Sequence, residues 1–192
     1  MPRPNWFFAF PLDGGFVTAL PALPPLLRRF HPEDVHLTLS FLGACGDAAA
    51  ARALQALDAE LSSAPRASVA VSLAEVVPMG AKPYSALSAL LAHGRDETVS
   101  LIAGLRDTLS EAALGRREKR APKPHVTIAR PSRRASASAL EAGLAWGNAL
   151  DLRHVSATLD RIALYTWSEG ARRERLFRVV AERRLGPQLP PP

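Results

Sequence analysis

The 192 residues are 47% hydrophobic, 6% aromatic and 22% charged, a globular composition sized for one domain or two small lobes sharing a core. Gly 12 and Pro 17 are too few for a collagen-like or wholly disordered chain, and the single cysteine, Cys45, excludes a disulfide scaffold and reads as a small buried hydrophobe. Lys+Arg total 24 against Asp+Glu 18, a net +6 in which Lys stands only at 82, 119 and 123; Arg holds phosphate with a planar fork of donors, although an Arg-favouring codon usage produces the same bias.

No apolar stretch reaches the roughly 18 residues of a membrane span. The opening MPRPNWFFAFPLDGG lacks the pattern of a secretory leader, so it reads as a strand and a turn, and the chain as cytoplasmic and monomeric. Residues 6–10, WFFAF, form the first strand, followed by a turn at Asp13-Gly14-Gly15. Residues 16–30 are apolar at helical spacing, but Pro21, Pro24 and Pro25 allow only a late or broken helix. Residues 35–42 alternate, with His36, Thr38 and Ser40 against Leu37, Leu39 and Phe41, which predicts a half-buried strand. Asp47 is the expected N-cap of a helix over 48–62. A strand at 68–77 and a turn at 78–83 precede 84–92, read as a strand, and 96–114, a helix stopped by Gly115. Residues 124–130 form another strand, and Ser138 with Glu141 suggests a capping box for a helix over 139–146. Strands at 153–166 and 174–184, joined by a turn at 168–170, complete an α+β chain with antiparallel sheets, and a Pro-rich tail occupies 187–192.

One pattern occurs twice, nearly half the chain apart: His36-Leu37-Thr38-Leu39 and His125-Val126-Thr127-Ile128. On a strand, residues i and i+2 share a face and stand about 7 Å apart. If the two strands flank one cleft, two imidazoles and two hydroxyls converge. That quartet suits a phosphodiester. One His takes a proton from water, the other protonates the departing oxygen, and the Thr hydroxyls hold the non-bridging oxygens. The scheme needs no metal, and neither motif has the nearby carboxylates or thiols of a metal site.

At these residues the chain resembles the two-histidine (2H) phosphoesterases, and among them the RNA 2′,3′-cyclic phosphodiesterases, or LigT-like 2′-5′ RNA ligase family. WFFAFPL, PEDVHLTLSFLG at 32–43, PKPHVTIAR at 122–130 and LDRIALYTWSEG at 159–170 carry the likeness. The resemblance implies an α+β, bilobed fold over 1–186, with two pseudo-symmetric antiparallel sheets, helices outside and a central active-site cleft. It implies metal-independent opening of an RNA terminal 2′,3′-cyclic phosphate to a 2′-phosphomonoester, without a cofactor. His36 would be the proton donor and His125 the proton acceptor, although the spacing leaves the two exchangeable. Arg130 follows the second motif, as in many relatives, but lies five residues after His125 and so nominally on the opposite face. Relatives often carry an Arg where Asn5 stands here.

Phe8 and Tyr84 are candidates, with Phe7 and Phe10, for stacking an end base. The basic run Arg116, Arg117, Lys119, Arg120, Lys123, Arg130, Arg133 and Arg134, against Glu118 alone, is either an RNA-steering surface or a solvated loop. The expected partners are RNA 3′ ends or nucleotides bearing a 2′,3′-cyclic phosphate. The competing readings are a phosphoesterase acting on small cyclic nucleotides or 2′-5′ linked oligomers, with reversible 2′-5′ ligation, and a non-catalytic binder of RNA ends.

Overall fold

The computed structural model describes residues 3–81, 83–168 and 175–187. The chain order is β1 (Trp6–Pro11), α1 (Gly15–Ala19), β2 (Leu27–Arg29), a 3-10 turn (Pro32–Asp34), β3 (His36–Gly43), α2 (Asp47–Ser63), β4 (Val69–Met79), β5 (Ala86–His93), α3 (Arg95–Leu114), β6 (Val126–Pro131), α4 (Ala137–Asn148), β7 (Ser156–Leu159), β8 (Arg161–Trp167) and β9 (Phe177–Arg184). No helix among the described residues is long and apolar enough to cross a membrane.

The strands run antiparallel in the order β7-β4-β5-β6-β3-β1-β8-β9, with β2 added beside β6. This is two four-stranded halves, β7-β4-β5-β6 and β3-β1-β8-β9, each presenting one H-x-T-x strand at its inner edge. The two H-x-T-x strands pair through Leu37 with Val126 alone, and an isolated parallel bridge, Ala67 with Gly186, ties the halves a second time, the Gly186 N–H donating to the Arg66 carbonyl at 2.7 Å. Beyond the Leu37–Val126 pair the two strands part, and β2 takes the remaining edge of β6 by pairing Leu27 with Pro131 and Arg29 with Ala129. The site lies where β3 and β6 diverge.

The main core lies on the helical side. Leu37, Leu57, Leu105, Leu109 and Ile128 are fully buried there, each worth about 1.5–3 kcal/mol of apolar burial. Strand β1 is covered on both faces. Trp6, Phe8 and Phe10 enter the main core, while Phe7 and Ala9 form a second cluster with Ala163 and Tyr165 on the cleft side. The turn from β5 into α3 needs Gly94, whose φ is +71° and where a Cβ would stand 2.2 Å from the Ala70 carbonyl oxygen.

Several expected boundaries move. The proline-rich 16–30 region folds as the one-turn α1 and the short strand β2, because prolines 21, 24 and 25 interrupt the helical spacing. Gly46, at φ +84°, takes the N-cap of α2, and Asp47 is its first residue, where an acid favours the helix N-terminus. Ser136, not Ser138, caps α4: its Oγ accepts from the Ala139 N–H at 3.2 Å and bonds Ser138 Oγ at 2.9 Å. The strand expected over 153–166 divides at Asp160, with β7 joining one half of the sheet and β8 the other. Most of the expected turn at 168–170, and all but Pro187 of the tail, lie outside the described residues.

Candidate active site

The same local geometry is built twice. Over 36–41 and over 125–130 burial runs identically: partly buried His, buried aliphatic, partly buried Thr, two buried residues, then an exposed one. The two consecutive buried residues break strand alternation, and the pairing registers show why. In β3, Thr38 faces Ala9 and Ser40 faces Phe8, so Leu39 is an extra residue. In β6, Thr127 faces Ser88 and Ala129 faces Leu87, so Ile128 is the extra residue. Each is a β-bulge directly after the Thr. Each turns the residue five positions after the His onto the cleft face: Phe41, 60% exposed, in one strand and Arg130 in the other.

The bulge in β3 corrects the simple alternation. Ser40 points into the core and shares a hydrogen bond with Ser110 of α3 at 3.2 Å, while Phe41 leaves the apolar face. In β6 the bulge brings Arg130 to the cleft wall despite its odd spacing from His125. Its guanidinium stands over the Phe30 ring, 5.1 Å from the centroid.

Both histidines are held in the same way. His36 Nδ1 lies 2.6 Å from the Asp34 carbonyl oxygen and His125 Nδ1 lies 2.7 Å from that of Lys123. A carbonyl only accepts, so each Nδ1 carries the hydrogen and each Nε2 is left for proton transfer. The Leu37–Val126 pair then sets the four side chains together. Continuing the antiparallel count puts His36 opposite Thr127 and Thr38 opposite His125, on the face away from Leu37 and Val126. Thr127 Oγ1 also shares a hydrogen bond with Ser88 Oγ at 3.2 Å.

A cleft of about 460 Å³ opens here, with His36, Thr38, Arg130, Phe7, Phe177 and Trp167 in its wall. Asn5, Phe41, Arg133 and Leu176 also line it. His125 and Thr127 are not in that wall; they stand beside it across the Leu37–Val126 pair. His36 packs in an aromatic cage, with ring centroids 4.9 Å from Phe7 and 5.6 Å from both Tyr165 and Phe177. Burial pushes its pKa down from 6.5 to about 4; the Asp34 carbonyl opposes this, and the charges of Arg130 and His125 add to it. The Tyr165 hydroxyl is pushed up to about 12, chiefly by burial, so it stays protonated.

Asp34 is a residue that the sequence reading missed. Its carboxylate is 1% exposed and accepts the backbone N–H of Leu176 at 2.7 Å and of Phe177 at 3.2 Å. Its carbonyl orients His36, so one residue ties the cleft wall in β9 to the histidine of β3.

Two expected contact residues lie elsewhere. Phe8 is fully buried in the main core, because its neighbour Phe7 is the one facing the cleft. Tyr84 is buried beneath α4, where its hydroxyl donates to the Leu140 carbonyl at 2.9 Å. Gly143 leaves the space for it, since a Cβ there would meet the Tyr84 oxygen at 2.4 Å. Among the described residues no three His, Cys, Asp or Glu side chains gather as metal ligands.

The sequence model of the 2′-5′ RNA ligase superfamily matches residues 21–171, a span that includes both H-x-T-x strands. The chain belongs to the 2′-5′ RNA ligase superfamily. Its solved relatives share the fold at low identity. The crystal structure of a phosphoesterase superposes with a TM-score of 0.68 at 18% identity, covering 97% of this chain and 99% of its own. Escherichia coli LigT in apo form gives 0.66 at 18%, covering 96% and 99%. The Thermus thermophilus protein TT0787 gives 0.67 at 19%, covering 96% and 100%. LigT has also been crystallised with 3′-AMP and with phosphate. Comparison with curated protein sequences returns no match. Membership in this superfamily supports an enzymatic role for the chain.

Proposed function

We propose that this protein hydrolyses the 2′,3′-cyclic phosphate at the 3′ end of RNA to a 2′-phosphomonoester, using two histidines and no metal. The observation that carries the reading is the duplicated histidine geometry. Each imidazole is locked through Nδ1 by a carbonyl two residues back, which leaves Nε2 for proton transfer, and lies opposite a Thr in the register at the junction of the two halves.

His125 Nε2 takes a proton from water as the water oxygen bonds to phosphorus. The P–O3′ bond breaks, and His36 Nε2–H protonates the leaving O3′. Thr38, Thr127 and Arg130 hold the non-bridging oxygens, where negative charge builds up. Before substrate binds, His36 is neutral near pH 7. The substrate's phosphate carries the opposite charge to Arg130, so binding raises His36, which takes up a proton from solvent and becomes the donor. Phe7, Trp167 and Phe177 offer apolar rings to the terminal nucleoside. The 3′-AMP complex of LigT supports a nucleotide end in such a cleft. The same groups run backwards, with a 5′ hydroxyl replacing water, would make a 2′-5′ bond, and the family's description favours that second activity.

The test is a defined RNA ending in 2′,3′-cyclic phosphate, incubated with a chelator and analysed for its product. A 2′-phosphate is expected. A 3′-phosphate, or loss of turnover on chelation, defeats the mechanism. A substrate with sulfur in place of the 3′ oxygen separates the two roles. A thiolate leaves without an acid, so this substrate rescues a His36 variant and not a His125 variant; the reverse pattern exchanges the assignments.

A further inference from the structure

Beside the cleft lies a second groove, of about 990 Å³, and Phe41 is the wall that the two share. The groove follows the end of β3 through Gly43 and Cys45 to the loop after α3, where Arg116, Arg117, Lys119 and Arg120 line it against Glu118. Two of these cations are already engaged: Arg117 pairs with Glu111 and Arg120 with Glu118. Arg116 and Lys119 are exposed and form no ion pair among the described residues. A cationic groove opening from a cleft that takes a phosphate ester has the charge to continue along the same polyanion.

We propose that this groove holds the upstream strand of a single-stranded RNA whose 3′ end occupies the cleft. The protein is thereby matched to oligonucleotides rather than to cyclic mononucleotides. The inference rests on the reading of the cleft as the seat of an RNA-terminal phosphate, and it adds a second binding surface to it. Phe41 lies three residues beyond Thr38 on β3, about 10 Å along the strand, where an upstream base reaches its exposed ring. The backbone beyond that base then passes Arg116 and Lys119, which hold its phosphates. The bulge at Leu39 makes this path possible, because without it Phe41 would face the core.

The probes are two labelled RNAs ending in a 2′-phosphate, a single strand of about ten nucleotides and a dinucleotide, followed by fluorescence anisotropy. Neither is consumed, so binding is read independently of turnover. The longer strand is expected to bind wild type at least ten-fold more tightly. The double variant Arg116→Ala, Lys119→Ala should lose most of that advantage and leave dinucleotide binding unchanged. Its log–log salt slope should fall by about 1.4, two contacts at about 0.7 each. Equal affinity for the two RNAs, or an equal loss on both in the double variant, overturns the proposal. Turnover of the matching cyclic-phosphate RNAs is measured alongside. If the groove signature is present and neither cyclic end is opened, the hydrolysis reading falls while the groove stands.

Discussion

At the scale of single residues the site depends on two imidazoles with different surroundings. His36→Ala and His125→Ala should each slow the chemical step by roughly 10²–10⁴-fold in single-turnover assays. Thr38→Ala and Thr127→Ala, which remove one hydroxyl donor, should cost about 10- to 10³-fold. A His variant with wild-type turnover would remove that residue from the mechanism. The burial of His36 also marks stability. Its folded value of about 4 lies below the unfolded 6.5, so between these limits the unfolded chain binds more protons. Stability is therefore highest above pH 6.5 and falls as pH drops toward 4, by up to ~3 kcal/mol from this group. His36→Gln abolishes that contribution. Denaturant midpoints at pH 7, 5.5 and 4.5 should decline less steeply in the variant than in wild type; parallel declines would show that His36 is not the desolvated group described.

At the scale of elements the two H-x-T-x strands show what sequence can and cannot reveal. The alternation in 35–42 and 124–130 indicates half-buried strands because each motif has only a few residues before its bulge. Past that point a period-two pattern carries no mark of one extra residue, so it assigns Phe41 to the core face and Arg130 to the wrong side of its strand. The helix over 47–63 is legible from Asp47 and its Ala- and Leu-rich run and that over 95–114 from apolar spacing and the Gly115 stop, whereas the proline-rich 16–30 hides a three-residue strand that forms only because β6 has a free edge. Phe8 and Phe7 are equally aromatic, and only the second layer on β1 decides which one faces the cleft. Asp34 leaves no signal because its partners are backbone amides of β9 and the residue just before it, remote in sequence. Asp34→Asn would set an amide NH2 or a weaker acceptor against two N–H donors, costing about 1–3 kcal/mol. The substitution also loosens Leu176 and Phe177 in the cleft wall, so KM for cyclic-phosphate RNA should rise more than kcat falls. Unchanged stability and KM would show that the carboxylate does not hold that wall.

At the scale of the whole molecule, the two four-stranded halves bring their H-x-T-x strands together at the Leu37–Val126 pair and the quartet straddles that junction. A ligand held by both halves therefore reinforces a junction at which the two H-x-T-x strands share one residue pair. Inorganic phosphate, the smallest probe of the proposed site, binds the folded chain through groups that the unfolded chain does not assemble. At a hundred-fold excess over its dissociation constant it should stabilise the fold by about 2.7 kcal/mol. For a chain of this size that raises Tm by roughly 5–10 °C. The argument requires both halves: Thr38→Val, on one side of the junction, and Thr127→Val, on the other, should each reduce the shift, and the double variant should remove most of it. Thermal melts with and without phosphate measure this directly. A full shift in the double variant would mean that the anion sits elsewhere, such as among the surface arginines, and that the junction does not gather the quartet around one phosphate.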